Sequence, residues 1–284
     1  MPKAKVAIVT DSTCNLPVEL VEQYNIHVIP QILNWEGKSL LDQVDISTRD
    51  FYDRLPQSSD LPKTSQPAPG QFTEFYTKVA ETADSIVGIF VSEFLSGTLQ
   101  SAHLGAEAMG DYPLEIVDSR SVSLGLGLLV TAAARYAAEG HDYKEIAEYT
   151  RTLVPRLRVV FVVDTLEYLH KGGRIGGAKR LMGSVLSIKP ILHLDNGRIE
   201  PLDSVRTKNK AIQSMIDTIV GEMKGKAHIH AGIIHAAAPE AAARVEEMLL
   251  AQVTPKELLT NELTPVIGAN VGPGIVGMGY YTEA

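Results

Sequence analysis

Apolar and polar residues come in short alternating blocks, and the first half of the chain reads as strands separated by helices. Val6 to Thr10 is an apolar run that predicts a buried strand, and Pro17 opens a brief helix to about Tyr24. Ile26 to Leu33 reads as a second strand. Ser47, with Asp50 three residues on, carries the pattern of a helix start and predicts a helix through Leu55. From Gly70 to Ala83, Phe72, Phe75, Tyr76 and Val79 recur at helical spacing on one stripe. Ile86 to Val91 and Leu114 to Val117 read as strands, with a helix from Gly97 to Met109 between them. Two more helices begin near Val122 and Tyr143. Strands that alternate with helices predict a parallel sheet.

The pattern changes after Thr152. Arg158 to Val163 reads as a strand and Lys179 to Leu186 as a helix. Ile188 to Leu194 and Arg198 to Leu202 flank Asn196-Gly197, a strong hairpin signal. A long helix is predicted from Lys208 to Met223, a strand from His228 to His235, and a helix from Ala238 to Leu250. Leu258 to Glu262 and Val276 to Tyr281 complete the set as strands. This half predicts a mixed or antiparallel sheet carrying helices. The expectation is therefore a two-domain α/β fold, divided into residues 1–155 and 156–284.

Composition narrows the classes of function. With 284 residues and 45% hydrophobic content, the chain can bury one large or two modest cores. Its net charge of -8 makes it a poor nonspecific binder of nucleic acid. The single cysteine, Cys14, excludes an intrachain disulfide, fits a cytoplasmic location, and reads as structural. The apolar run Val6 to Val9 is too short for a signal peptide. The longest apolar stretch, Val122 to Ala138, contains Ser123, Gly125, Gly127 and Arg135, and reads as a buried helix.

Two hydroxyl-rich turns carry the candidate chemistry. Lys63-Thr64-Ser65-Gln66-Pro67 and Ser92 to Gln100, with Ser96-Gly97-Thr98 at its centre, each read as opening a helix. Small hydroxyls beside free helix amides suit a carboxylate or phosphate without a metal. Thr10-Asp11-Ser12-Thr13 ends the first strand, at the edge where open α/β sheets place ligands. Each of these residues is also an ordinary cap; several on one edge point to a site. Gly268 to Gly274, including Asn270, reads as a glycine-rich loop before the last strand. Lys171 to Gly177 reads as a glycine turn with Arg174 exposed, because it lacks the Lys-Ser/Thr ending of a phosphate loop. His228 and His230 share one strand face without ligand partners at metal spacing, so no metal is expected. Asp11 and Asp118 end strands. No nucleophile elbow is present, so Ser96 is a poor nucleophile and no catalytic residue is assigned.

Taken in order, these segments resemble the DegV family of bacterial fatty-acid-binding proteins. The matching residues are Val9 to Thr13, Thr64 to Pro67, Ser96 to Thr98, Asp164 to Ile175, Lys189-Pro190, and Val271 to Gly274. The resemblance spans nearly the whole chain. It implies a protein that binds one long-chain fatty acid and presents it to a separate kinase, which phosphorylates the carboxylate. It assigns Thr64, Ser65 and Ser96 as carboxylate contacts, Thr98 as a weaker candidate, and Asn270 at a position where the family usually has His. It implies no cofactor, no catalysis by this chain, and a role in phospholipid metabolism. Arg174, Lys179, Arg180, Arg206, Lys208 and Lys210 would form a basic face for the kinase or an anionic membrane surface, with Arg174 and Arg206 leading. The expected tail wall draws on Phe161, Leu166, Leu169, Leu181, Val185, Leu186, Ile188 and Ile191. The competing reading is a phosphotransferase that holds a nucleotide through its glycine-rich segments.

Overall fold

The computed structural model describes residues 3–183 and 188–283. In chain order the first half contains β1 (Ala7–Asp11), α1 (Val18–Gln23), β2 (His27–Ile29), β3 (Ile32–Trp35), β4 (Lys38–Leu41) and α2 (Thr48–Arg54). It continues with β5 (Lys63–Ser65), α3 (Pro69–Ala80), β6 (Ile86–Phe90), α4 (Thr98–Glu107), β7 (Leu114–Asp118), α5 (Leu124–Ala138) and α6 (Tyr143–Leu153). The second half contains β8 (Arg158–Val162), α7 (Glu167–Lys171), β9 (Lys189–Asp195), β10 (Arg198–Val205) and α8 (Lys208–Met223). It ends with β11 (Ile229–His235), α9 (Pro239–Leu250), β12 (Glu257–Glu262), α10 (Pro265–Val271) and β13 (Val276–Thr282).

Three sheets organise these elements. A parallel sheet runs β2-β1-β6-β7, and a mixed sheet runs β10-β9-β8-β13-β11-β12, with only β11 and β12 parallel in it. The parallel sheet follows from the strand–helix alternation, and the mixed sheet from the hairpin. Asn196 (φ 46°) and Gly197 (φ 81°) form the two-residue turn between β9 and β10 that the Asn-Gly pair predicts.

The third sheet, β4-β3-β5, is a departure from the sequence reading. Ile26 to Leu33 is two strands, because Pro30 cannot donate to a ladder and the chain leaves the parallel sheet there. The β3–β4 turn, Glu36 (φ 53°) and Gly37 (φ 74°), is a hairpin with a weaker turn signal than Asn-Gly. Thr64 and Ser65 lie on β5, ahead of the helix they were expected to open. In the stretch read as helix from Lys179, a 3₁₀ segment covers Gly176–Leu181. Val185 and Leu186 lie outside the described residues.

Helix α5 joins the two large sheets. Leu124 to Ala134 are all buried, so the helix is apolar on every side because protein surrounds it. It meets β1 and β6 on one side and β11 and β13 on the other. A β-carbon on Gly279 would lie 3.2 Å from Gly125 Cα, so glycine at both positions lets helix and sheet backbones touch. No helix among the described residues is long and apolar enough to cross a membrane.

Candidate functional site

A cavity opens beyond the carboxyl ends of β1 and β6, where the two halves and the small sheet meet. Val91, Leu95 and Val122 line it from the first half; Leu169, Ile199, Ile267 and Val271 line it from the second. About 580 Å³ lies between its atoms, mouth included. Its aliphatic lining suits a hydrocarbon chain. Of the expected tail-wall residues among those described, only Leu169 lines it. Phe161, Leu166 and Leu181 pack in the neighbouring core around β8, and Ile191 faces the other side of the mixed sheet. The wall is shared between the halves, because hydrophobic spacing along one strand does not say which face meets another domain.

Hydroxyls from two segments line this cavity. Thr64 and Ser65 reach it from β5, which pairs with β3 in the register Leu33 to Thr64 and Ile32 to Ser65. Ser96 reaches it from the tight turn after β6, whose Leu95 and Ser96 amides donate to Ser92 O. A β-carbon on Gly97 would sit 2.7 Å from Gln66 Nε2, so glycine there lets the two hydroxyl segments close on each other. Ser92 Oγ donates to Gly197 O at 2.9 Å and pins the turn to the β9–β10 hairpin. The sequence thus identified three residues that the tertiary structure brings to one cavity.

Each hydroxyl has a hydrogen-bonding neighbour. Asn270 Nδ2 donates to Thr64 Oγ1 at 3.1 Å and to Val266 O at 2.9 Å, which uses both amide hydrogens. Asn34 Nδ2 donates to Ser65 Oγ at 3.1 Å. Thr98 is fully buried and lies behind Ser96, with the two hydroxyl oxygens 2.7 Å apart. Asn270 is also not on a loop: Pro265–Val271 is helix α10, and only the segment from Gly272 (φ 76°) to Gly274 (φ 87°) turns as glycine allows. An Asn amide spent on Thr64 and its own helix positions a hydroxyl and has no hydrogen left for a ligand.

The basic residues separate into two groups. Arg174 is not the exposed residue expected from its glycine turn. It is half-buried and lines the cavity, with Nε donating to Leu95 O at 3.1 Å and Nη1 to Gly172 O. Lys208 is paired with Asp164 at 2.8 Å and also donates to Gly274 O. Lys179, Arg180, Arg206 and Lys210 are exposed. Sequence reasoning missed Gln31, Asn34 and the cavity-facing side of Arg174. A polar Gln31 inside a largely apolar run was the available signal for the first.

Other candidate groups serve the scaffold. Asp11 is buried and accepts from Thr13 N, Thr13 Oγ1 (2.6 Å) and Val91 N (3.0 Å), tying the ends of β1 and β6 together. Burial raises its carboxyl above the usual range, against those donors and Gln31. Asp42 is pushed up to about 6 by burial, against hydrogen bonds from Ser12, Val266 N and Thr264. The Cys14 thiol is buried and pushed up to about 12 by burial, which makes it inert. His228 sits outside β11 with φ 52°, while His230 is buried between Glu257 (2.8 Å) and Glu283 (2.9 Å). Among the described residues no group of three or more His, Cys, Asp or Glu could hold a metal ion.

Comparison with known proteins gives one consistent result. The DegV family model, described as an uncharacterised protein family, matches residues 5–283. A DegV domain-containing protein of Streptomyces coelicolor is 38% identical over 275 residues, covering 96% of this chain and 97% of the relative. A solved DegV family protein from Thermus thermophilus, described for its fatty acid binding, superposes with a TM-score of 0.93 at 33% identity, covering 98% of this chain and 100% of that one. DegV of Bacillus subtilis, described as a fatty acid binding protein, superposes with a TM-score of 0.90 at 31% identity, covering 99% of this chain and 100% of that one.

Proposed function

The chain belongs to the DegV family, and on that premise we propose that it binds a long-chain fatty acid and presents it to a separate kinase for conversion to an acyl phosphate. The observation that carries this reading is that Thr64, Ser65 and Ser96 line one cavity together with Val91, Leu95, Leu169, Ile199 and Val271. In it the carboxylate accepts from those hydroxyls, with Thr98 and Asn270 behind them, and the tail lies between Leu95, Leu169, Ile199 and Val271. Each buried methylene contributes about 0.8 kcal/mol relative to water, but a bilayer offers the tail nearly the same gain. Selectivity for an acid therefore falls to the hydroxyl end, because a carboxylate buried without donors is strongly disfavoured.

The same reading makes the chain a non-catalytic carrier in the cytoplasm, with no cofactor, composed of units 1–155 and 156–284. The exposed Lys179, Arg180, Arg206 and Lys210 form the docking face on an otherwise acidic protein, and Arg206 leads it now that Arg174 is engaged at the cavity. That face also serves transient contact with an anionic membrane surface. A nucleotide-binding phosphotransferase finds less support, because Gly268 is packed inside a helix. A β-carbon there would lie 2.6 Å from Tyr52 Oη. The test is organic extraction of the protein purified from bacteria, followed by mass spectrometry and by titration with ATP and magnesium. A fatty acid near one per chain and no nucleotide binding is expected. Nucleotide binding without bound lipid would overturn the carrier reading.

A further inference from the structure

A second groove crosses the seam between the two halves and shares no lining residue with the cavity described above. The start of α1 and the turn after β4 line it from the first half; the end of β12 and Thr264 line it from the second. About 1350 Å³ lies between its atoms, mouth included. Val44 (68% exposed) and Val18 (60%) are the two most exposed large apolar side chains among the described residues, and both line it. One exposed valine is ordinary; two on one concave surface, beside Leu16, Val21 and Val28, mark an interaction site.

The charge of the groove has one sign. Glu19, Asp42 and Glu262 line it, and among the described residues no Lys, Arg or His does. Asp42 is occupied by the scaffold, accepting from Ser12 Oγ at 2.6 Å and from Val266 N at 3.3 Å. Glu19 is exposed on α1. Glu262 is partly exposed, with Oε1 accepting from Ala237 N at 3.0 Å and His235 Nδ1 3.7 Å away. We propose that this groove docks a segment of a partner protein that carries a Lys or Arg between apolar side chains. The apolar side chains cover Val18 and Val44, and the cation meets Glu19 and Glu262. An acidic surface that suits the exposed Lys179, Arg180, Arg206 and Lys210 is repelled here, so the groove serves a different contact.

The groove is held in shape by bonds of its own. Asn15 (φ 56°) is buried and ties the halves together beneath it. Its Nδ2 donates to Glu262 O at 3.1 Å, its Oδ1 accepts from Thr264 N at 2.8 Å, and its carbonyl accepts from Asn261 Nδ2 at 2.8 Å. In the other wall, Gln43 N donates to Ile46 O at 3.1 Å and Asp45 Oδ2 accepts from Leu41 N at 2.8 Å, which fixes the turn that carries Val44. A surface already formed loses little ordering entropy when a partner binds.

This inference stands apart from the lipid reading, and its test does not use lipid binding. A random displayed peptide library is selected on the intact chain, with counter-selection on Val18→Ser/Val44→Ser. Enriched peptides are synthesised, and fluorescence anisotropy measures their affinity for the parent, Val18→Ser/Val44→Ser and Glu19→Lys. All three substituted side chains are exposed, so the fold is kept, which circular dichroism checks; should one variant not fold, the other decides. The enriched peptides should carry a Lys or Arg flanked by apolar residues and bind each variant on the order of tenfold more weakly than the parent. Norleucine in place of the peptide's cation should weaken binding to the parent to a similar degree. No enrichment, enrichment of acidic or purely apolar peptides, or parent-like affinity in the folded variants overturns the proposal. Sedimentation of the same proteins completes the test. A parent that dimerises while Val18→Ser/Val44→Ser stays monomeric makes a second copy the occupant and overturns the partner segment.

Discussion

Glu257→Gln tests how the two halves of the molecule are held together. Arg135, on helix α5, forms a two-point ion pair with Glu257 at the start of β12, with Nη1 to Oε2 at 2.9 Å. His230 on β11 bonds the same carboxylate at 2.8 Å, and Glu283 beyond β13 at 2.9 Å. Tyr281 stacks on the imidazole with centroids 4.8 Å apart. Burial by itself would raise the Glu257 carboxyl, but His230 and Arg135 outweigh it and hold the group down from 4.5 to about 2. At about 1.4 kcal/mol per tenfold, that displacement corresponds to about 3 kcal/mol of folding free energy. The Arg135 side chain is 33% exposed, so solvent screening reduces the expected loss in Glu257→Gln to about 2–3 kcal/mol near neutral pH.

The sign of the pH dependence is fixed by the direction of the shift. A depressed carboxyl stabilises fully above its unfolded value of 4.5, and the contribution is lost as pH falls through about 2. The gap between parent and variant should therefore be full at pH 6–7 and shrink below about pH 4.5. Urea unfolding followed by far-ultraviolet circular dichroism measures it at each pH. The single tryptophan, Trp35, is a poor probe because it sits in the small sheet, away from this network. A gap that stays constant from pH 7 to pH 3.5 would refute the charge argument and reduce Glu257 to a packing residue.

Three further outcomes are expected. Thr64→Val keeps the shape of β5 but removes a hydroxyl that lines the cavity, and should weaken fatty acid binding by about 1.5–3 kcal/mol in a displacement titration; parent-like affinity would remove Thr64 from the head-group site. Ile199→Phe adds bulk to a buried wall residue, and should shift preference toward shorter acids while costing about 1–3 kcal/mol of stability. An unchanged chain-length profile would place the tail elsewhere. Arg206→Glu should spare lipid binding and reduce acyl-phosphate formation with the kinase; equal turnover by parent and variant would clear Arg206 of any docking role.

Periodicity and turn chemistry determined much of this protein directly. The strand–helix alternation of the first half, the Asn196-Gly197 hairpin and the helix Lys208–Met223 are all local decisions, made by side-chain spacing and by the conformations glycine and asparagine tolerate. The hydroxyls of Thr64, Ser65 and Ser96 were legible as candidates for the same reason: small polar side chains at strand ends stand out against apolar runs. What they became was decided by packing. Pro30 sent one apolar run into two different sheets, and that detour placed Gln31 at the cavity wall, bonded to Thr98 far along the chain. Arg174 read as exposed because its glycine turn looks like surface, yet the Ser92 turn from the other half covers it and offers Leu95 O. Spacing along one chain records which face of an element is apolar. It does not record which distant element will cover that face, and the cavity exists only where two halves do so together.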